Sequence, residues 1–125
     1  MNWTAVGAAL MSLAVMMGAF GAHALKDRLD AYSLGVYEKA VFYHFLHAIG
    51  ILLIALLART GAIGIAGQTR AAWLLLVGII LFSGSLYTLA LSGQRILGAV
   101  TPLGGIAFIA GWLVLVYEAL RAPRA

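Results

Sequence analysis

The stretch AAWLLLVGIILFSGSLYTLALSGQ, residues 71–94, runs for 24 residues without a charged side chain. About 20 apolar residues in a helix, rising 1.5 Å each, cross the hydrocarbon core of a bilayer. In hydrocarbon every backbone N–H and C=O has to be paired within its own segment. A helix achieves this, and the period-two alternation of a barrel strand is missing here. Three further uncharged runs surround it: 25 residues from Met1 to Leu25, 19 from Ala40 to Ala58 and 22 from Ile96 to Tyr117. The whole chain agrees, with 64% hydrophobic and 10% charged residues and a mean hydropathy of +1.04, where soluble proteins carry about 25% charge. The runs predict an all-α integral membrane protein, a four-transmembrane-helix antiparallel bundle. It forms a single membrane domain over 1–125, with helices at about 2–25, 37–58, 71–92 and 102–120.

Four spans in 125 residues leave short loops and no room for a soluble or nucleotide-binding domain. The net charge of +4 therefore reads as topology signal and contact with anionic headgroups, not as a nucleic-acid surface. The absence of cysteine excludes disulfides, thiolate metal sites and iron–sulfur ligation. AHA at 22–24 imitates a signal-peptide cleavage site, but MNWT has no basic n-region and the apolar run is too long, so the segment is expected to stay as the first helix. Lys26, Asp27, Arg28 and Asp30 close that helix, and Asp30 or Ser33 can cap the next. Tyr32 and Tyr37 are expected in the headgroup belt. RTGAIGIAGQTR, 59–70, reads as a turn, since it lacks the strand context and Lys-Ser/Thr ending of a phosphate loop. Thr101 and Pro102 suit the opening of the fourth helix.

Basic residues divide evenly between the two sides. Lys26, Arg28, Lys39 and Arg95 stand on one, and Arg59, Arg70, Arg121 and Arg124 on the other. Both termini are expected on the same side, the cytoplasmic one. Glu118, among Tyr117, Arg121 and Arg124, is expected at headgroup level and not as a transport carboxylate. Small residues at Ala14, Gly18 and Ala22, at Gly78, Ser85 and Ser92, and at Ala107 and Gly111 predict close helix packing.

YHFLHA, 43–48, buries two histidines in apolar sequence. His44 is seven residues in from Tyr37 and Ser85 seven in from Ser92, so both lie about 10 Å below the same surface at 1.5 Å per residue. His47 and Ser83 come near mid-membrane, Tyr87 sits higher, and His23 and Thr101 lie at the rim. This candidate polar cluster of His23, His44, His47, Ser83, Ser85, Tyr87 and Thr101 is expected to form a polar core or shallow cavity opening towards the first and third loops. Intramembrane ionisable residues are functional candidates. Neutral histidines bonded to Ser83, Ser85, Tyr87 or backbone carbonyls account for it structurally. The alternatives are a small-molecule, lipid or quinone site and, with His23 too shallow and no cysteine, a metal or haem centre. No catalytic residue, metal ligand or cofactor is assigned. Ser83 has no acidic residue at its depth to complete a Ser-His-Asp triad.

GAFGAHAL, YHFLHA, FSGSLYTLALSG and LGAVTPLGGIAFIAGW, in that order over nearly the whole chain, resemble the YgdD family, domain-of-unknown-function family 423. His23, His44, His47, Ser83, Ser85, Tyr87, Thr101, Pro102 and Trp112 fall on its motif positions. The resemblance implies four helices and the bacterial cytoplasmic (inner) membrane, and supplies no activity. The expected function is a small non-enzymatic multi-pass protein, an accessory or structural subunit or a homo-oligomer with membrane lipids as partners and a lipid cavity in one leaflet. The alternatives are a small transporter or channel and a lipid- or quinone-binding protein. Small multidrug exporters compare in size only, because helices 1 to 3 hold no buried carboxylate.

Overall fold

A computed structural model describes residues 1–123; Arg124 and Ala125, the former one of the expected rim cations, lie outside the described residues. Four helices are long and apolar enough to span a membrane: α1 Trp3–Leu25, α2 Ala31–Arg59, α3 Ile65–Ser92 and, after a 3₁₀ turn at Arg95–Ala99, α4 Thr101–Arg121. Among the described residues there is no strand. Residues 1 and 123 fall at the α2–α3 loop end of the bundle, where Trp3 meets Trp73 edge-on at 5.3 Å and Arg70 meets Glu118 at 3.0 Å.

The two central helices begin earlier than hydropathy places them. α2 starts at Ala31 instead of 37, and α3 at Ile65 instead of 71. Uncharged runs measure hydrocarbon depth, whereas a helix continues through the headgroup layer with Glu38, Lys39, Gln68 and Arg70 on its surface. The Asp30 carboxylate accepts the Ser33 N–H at 2.7 Å and so satisfies one orphan amide of α2. That amide holds the Asp30 carboxyl below its ordinary 3.8, with the Ser33 hydroxyl and nearby Arg95 acting in the same direction. A depressed carboxyl stabilises above its unfolded pKa and loses that contribution as pH falls through its folded one. Protection of the Ser33 amide, relative to its intrinsic exchange rate, is therefore expected to fall once pH drops below about 4, and Asp30→Asn should remove that fall. Arg95 also lies over the Tyr32 ring, 5.1 Å from its centroid, tying the third loop to the start of α2.

α2 and α3 form the centre, with 44% of the most apolar 18-residue stretch of each buried, and α1 and the Arg95–Arg121 span flank them at 17%. The outer pair therefore presents most of its surface outside the bundle. The core runs through Ala48, Ile51, Ile54, Ala71, Ala72, Leu75 and Phe108. Lipid gives no hydrophobic drive between helices, so close backbone approach and van der Waals contact have to hold them. On α1 the buried small residues are Gly7, Ala14 and Gly21, spaced by seven, instead of Ala14, Gly18 and Ala22, the last of which is exposed. A Cβ at Gly21 would stand 2.5 Å from Tyr37, and one at Gly7 2.8 Å from Leu52.

Two π-turns interrupt the spans, Gly21–Leu25 in α1 and Ile79–Ser83 in α3. Such insertions shift the register of the backbone hydrogen bonds and often mark functional positions. Tyr37, expected in the headgroup belt, is instead 1% exposed. Its hydroxyl donates to the Met17 carbonyl one turn before the first π-turn. Gly21 leaves the room its ring needs.

Candidate functional site

The expected cluster divides into a connected part and an outlier. His44 is 1% exposed and its Nδ1 lies 2.9 Å from the Tyr87 hydroxyl on α3. Its Nε2 is buried without a hydrogen-bond partner. The direction of the His44–Tyr87 bond follows the ring's tautomer, since the hydroxyl can donate or accept. For His47 the direction is fixed: its Nδ1–H donates to the Tyr43 carbonyl at 2.8 Å, an oxygen that can only accept.

The His47 ring lies flat on Phe108 of α4, with centroids 3.5 Å apart and planes 10° from parallel. Trp112 is 5.9 Å away. Tyr43 and Phe82, 4.4 Å from each other, pack beside it, so one aromatic layer joins α2, α3 and α4. Ser83 donates to the Ala40 carbonyl across α2 and α3 at 2.8 Å, and Ser85 meets Thr101 across α3 and α4 at 2.7 Å. The two serines thus do not pair with the histidines, as depth matching suggests. Equal depth does not place side chains on facing sides, and the π-turn at Ile79–Ser83 rotates the following residues relative to a regular helix.

His23 is exposed on α1 and stands apart from the other two histidines. Among the described residues no three of His, Cys, Asp or Glu converge as a metal would require.

Neither of two cavities is lined by the residues of the expected cluster. A groove of about 160 Å³ between α1 and α2 is lined by Gly18, Gly21, Tyr37 and Glu38, without the histidines. A larger open pocket of about 320 Å³ lies at the opposite rim, where the α2–α3 loop meets the end of α4. It contains Arg70, Glu118 and Arg121. Glu118 is at the helix end as expected, but its partner is Arg70 of α3, whereas Arg121 donates to the Tyr117 hydroxyl at 2.7 Å. The sequence signal for this pairing is Gly67, one turn before Arg70. A Cβ there would stand 2.3 Å from the Glu118 carboxyl carbon, so a larger residue would make the Glu118 side chain shift. The aromatic members Tyr43, Phe82 and Phe108 were not foreseen, because apolar rings in a membrane helix look the same whether they face lipid or protein.

Residues 17–105 match the family model described as Protein of unknown function (DUF423). The chain is 49% identical over 116 residues to a UPF0382 membrane protein of Staphylococcus epidermidis, with 93% of each chain covered. It is 47% identical over 116 residues to the UPF0382 membrane protein YwdK of Bacillus subtilis, covering 93% of this chain and 94% of that one. No solved structure matches it. The family match covers the end of α1, all of α2 and α3 and the start of α4, and these bacterial relatives are named membrane proteins. The chain therefore belongs to the DUF423 family.

Proposed function

We propose that this protein is a non-enzymatic subunit of the bacterial inner membrane whose polar residues serve to lock its own helices together. It would act as an accessory or self-associating component surrounded by lipid, with both termini in the cytoplasm. The observation that carries this reading is that the cluster spends its hydrogen bonds internally: His44 on Tyr87, His47 on Tyr43, Ser83 on Ala40 and Ser85 on Thr101. A reactive site would keep a nucleophile or base open to a substrate. Here His44 Nε2, which has no partner, is sealed from solvent.

Tyr87→Phe is expected to destabilise the bundle by about 1 kcal/mol, within the range measured for membrane hydrogen bonds, in reversible detergent unfolding. The loss should shrink sharply when His44 is already Leu, because the two then share one interaction. Tag-free purified protein should also lack stoichiometric metal, haem or quinone by elemental and mass analysis. Near-stoichiometric zinc, copper, iron or quinone that disappears in His44→Ala would overturn this reading and make the layer an active centre.

A further inference from the structure

The pocket between the α2–α3 loop and the end of α4 has no part in the polar lock, and its chemistry points outward. Arg70 is held in place but not used up. Its Nε donates to the Ala66 carbonyl at 3.3 Å and one Nη2 hydrogen to Glu118 at 3.0 Å. Of the five N–H donors of a guanidinium, three remain, on a side chain 59% exposed. Among the described residues Arg121 bonds only to Tyr117 of its own helix, which leaves most of its donors for a ligand. Glu118 is 14% exposed and packs over Gly67, so it orients Arg70 more than it faces the opening. Two arginines against one carboxylate leave the pocket with a formal charge of +1.

Depth agrees. Arg70 lies three residues, about 4.5 Å, outside Trp73, and Trp73 with Trp3 forms an aromatic pair of the kind that sits at the headgroup boundary. The pocket thus opens where lipid phosphates are, and Gly64 adds no side chain to its floor. Its volume of about 320 Å³ is at the small end for ligand sites.

We infer that this pocket binds the phosphodiester headgroup of an anionic phospholipid, with Arg70 and Arg121 on the phosphate and Glu118 holding Arg70 in position. Arginine suits this because its planar donors match two phosphate oxygens at once. A zwitterionic headgroup fits less well, since its ammonium would have to sit beside two guanidiniums and its net charge does not complement the pocket. The inference is independent of the histidine layer, which lies towards the other rim, and the two can fail separately.

The test uses full-length protein in nanodiscs of phosphatidylcholine with a minor fraction of phosphatidylglycerol, reading co-purified lipid by native mass spectrometry and melting temperature. Wild type is expected to retain phosphatidylglycerol and to melt higher than in phosphatidylcholine alone. Arg121→Gln, which breaks no interhelical bond, and Arg70→Gln should each lower retention about tenfold, the equivalent of one hydrogen bond between charged groups. Arg59→Gln, on the same rim but outside the pocket, should lower it less than about twofold. An equal loss in Arg59→Gln would mean general attraction to the basic rim and would overturn the site. Equal retention of both lipids would also overturn it. Stabilisation by inorganic phosphate alone would show that the pocket takes a free anion and not a lipid. If Arg70→Gln does not fold, Arg121→Gln decides.

Discussion

Gly104→Ala is expected to destabilise the bundle by about 3 kcal/mol, the upper end of what overpacking costs, whereas Gly105→Ala next to it should change stability by less than about 0.5 kcal/mol. A Cβ on Gly104 would stand 2.3 Å from the Phe82 nitrogen and 2.7 Å from its Cα. Those are backbone atoms inside the π-turn Ile79–Ser83, and no rotamer change moves them. Relief requires α4 to retreat from α3, which would stretch the Ser85–Thr101 bond of 2.7 Å three residues earlier and loosen Gly111 against Leu75. At Gly105 the nearest atom to a Cβ is 4.0 Å away, an ordinary contact. Folded fraction against denaturing detergent, followed by circular dichroism, compares the two. Equal midpoints would mean that α3 and α4 are not packed backbone to backbone.

Why Gly104 and not Gly105 matters was not legible in TPLGG. The four uncharged runs announce four spans because hydrocarbon enforces one backbone solution, and that inference needs no knowledge of neighbours. Asp30 as cap was legible for the same reason: its role depends on residues three positions away. Which face of each helix meets protein is a different matter. In water an apolar stripe marks the buried side, but in a membrane both sides are apolar, so Tyr37 reads like a belt residue and nothing in the sequence marks Phe108 as buried. The polar residues were found as a group, since a polar side chain in hydrocarbon has to be satisfied. Their pairing was not, because the π-turns change the register on which depth counting relies. Arg70 and Glu118 lie 48 positions apart, and only the packing of α4 on α3 brings them together.

The second large effect tests the aromatic layer. Gly78→Ala is expected to cost about 2 kcal/mol, because its Cβ would lie 2.3 Å from Phe108 Cδ1 and 2.5 Å from Cε1. A side chain can normally yield where backbone cannot. Phe108 is prevented from yielding by His47, stacked 3.5 Å away on one face, and by Phe82 at 5.5 Å. Phe108→Ala alone should also cost about 2 kcal/mol. Soluble cores lose about 3–5 for this change, but part of that is transfer from water, a term that is small when the alternative to protein is lipid. In the double variant the added methyl of residue 78 enters the space the ring vacates, and the cavity is partly filled. The two losses should therefore fall short of adding by about 1–2 kcal/mol, as expected for side chains in direct contact. The same cycle run between Gly78→Ala and Leu113→Ala, whose side chain is exposed to lipid at 60%, should be additive. Strict additivity between Gly78 and Phe108 would mean that the ring swings aside freely. His47 would then not be clamping it, and the histidine layer would lose its role as the structural lock of the bundle.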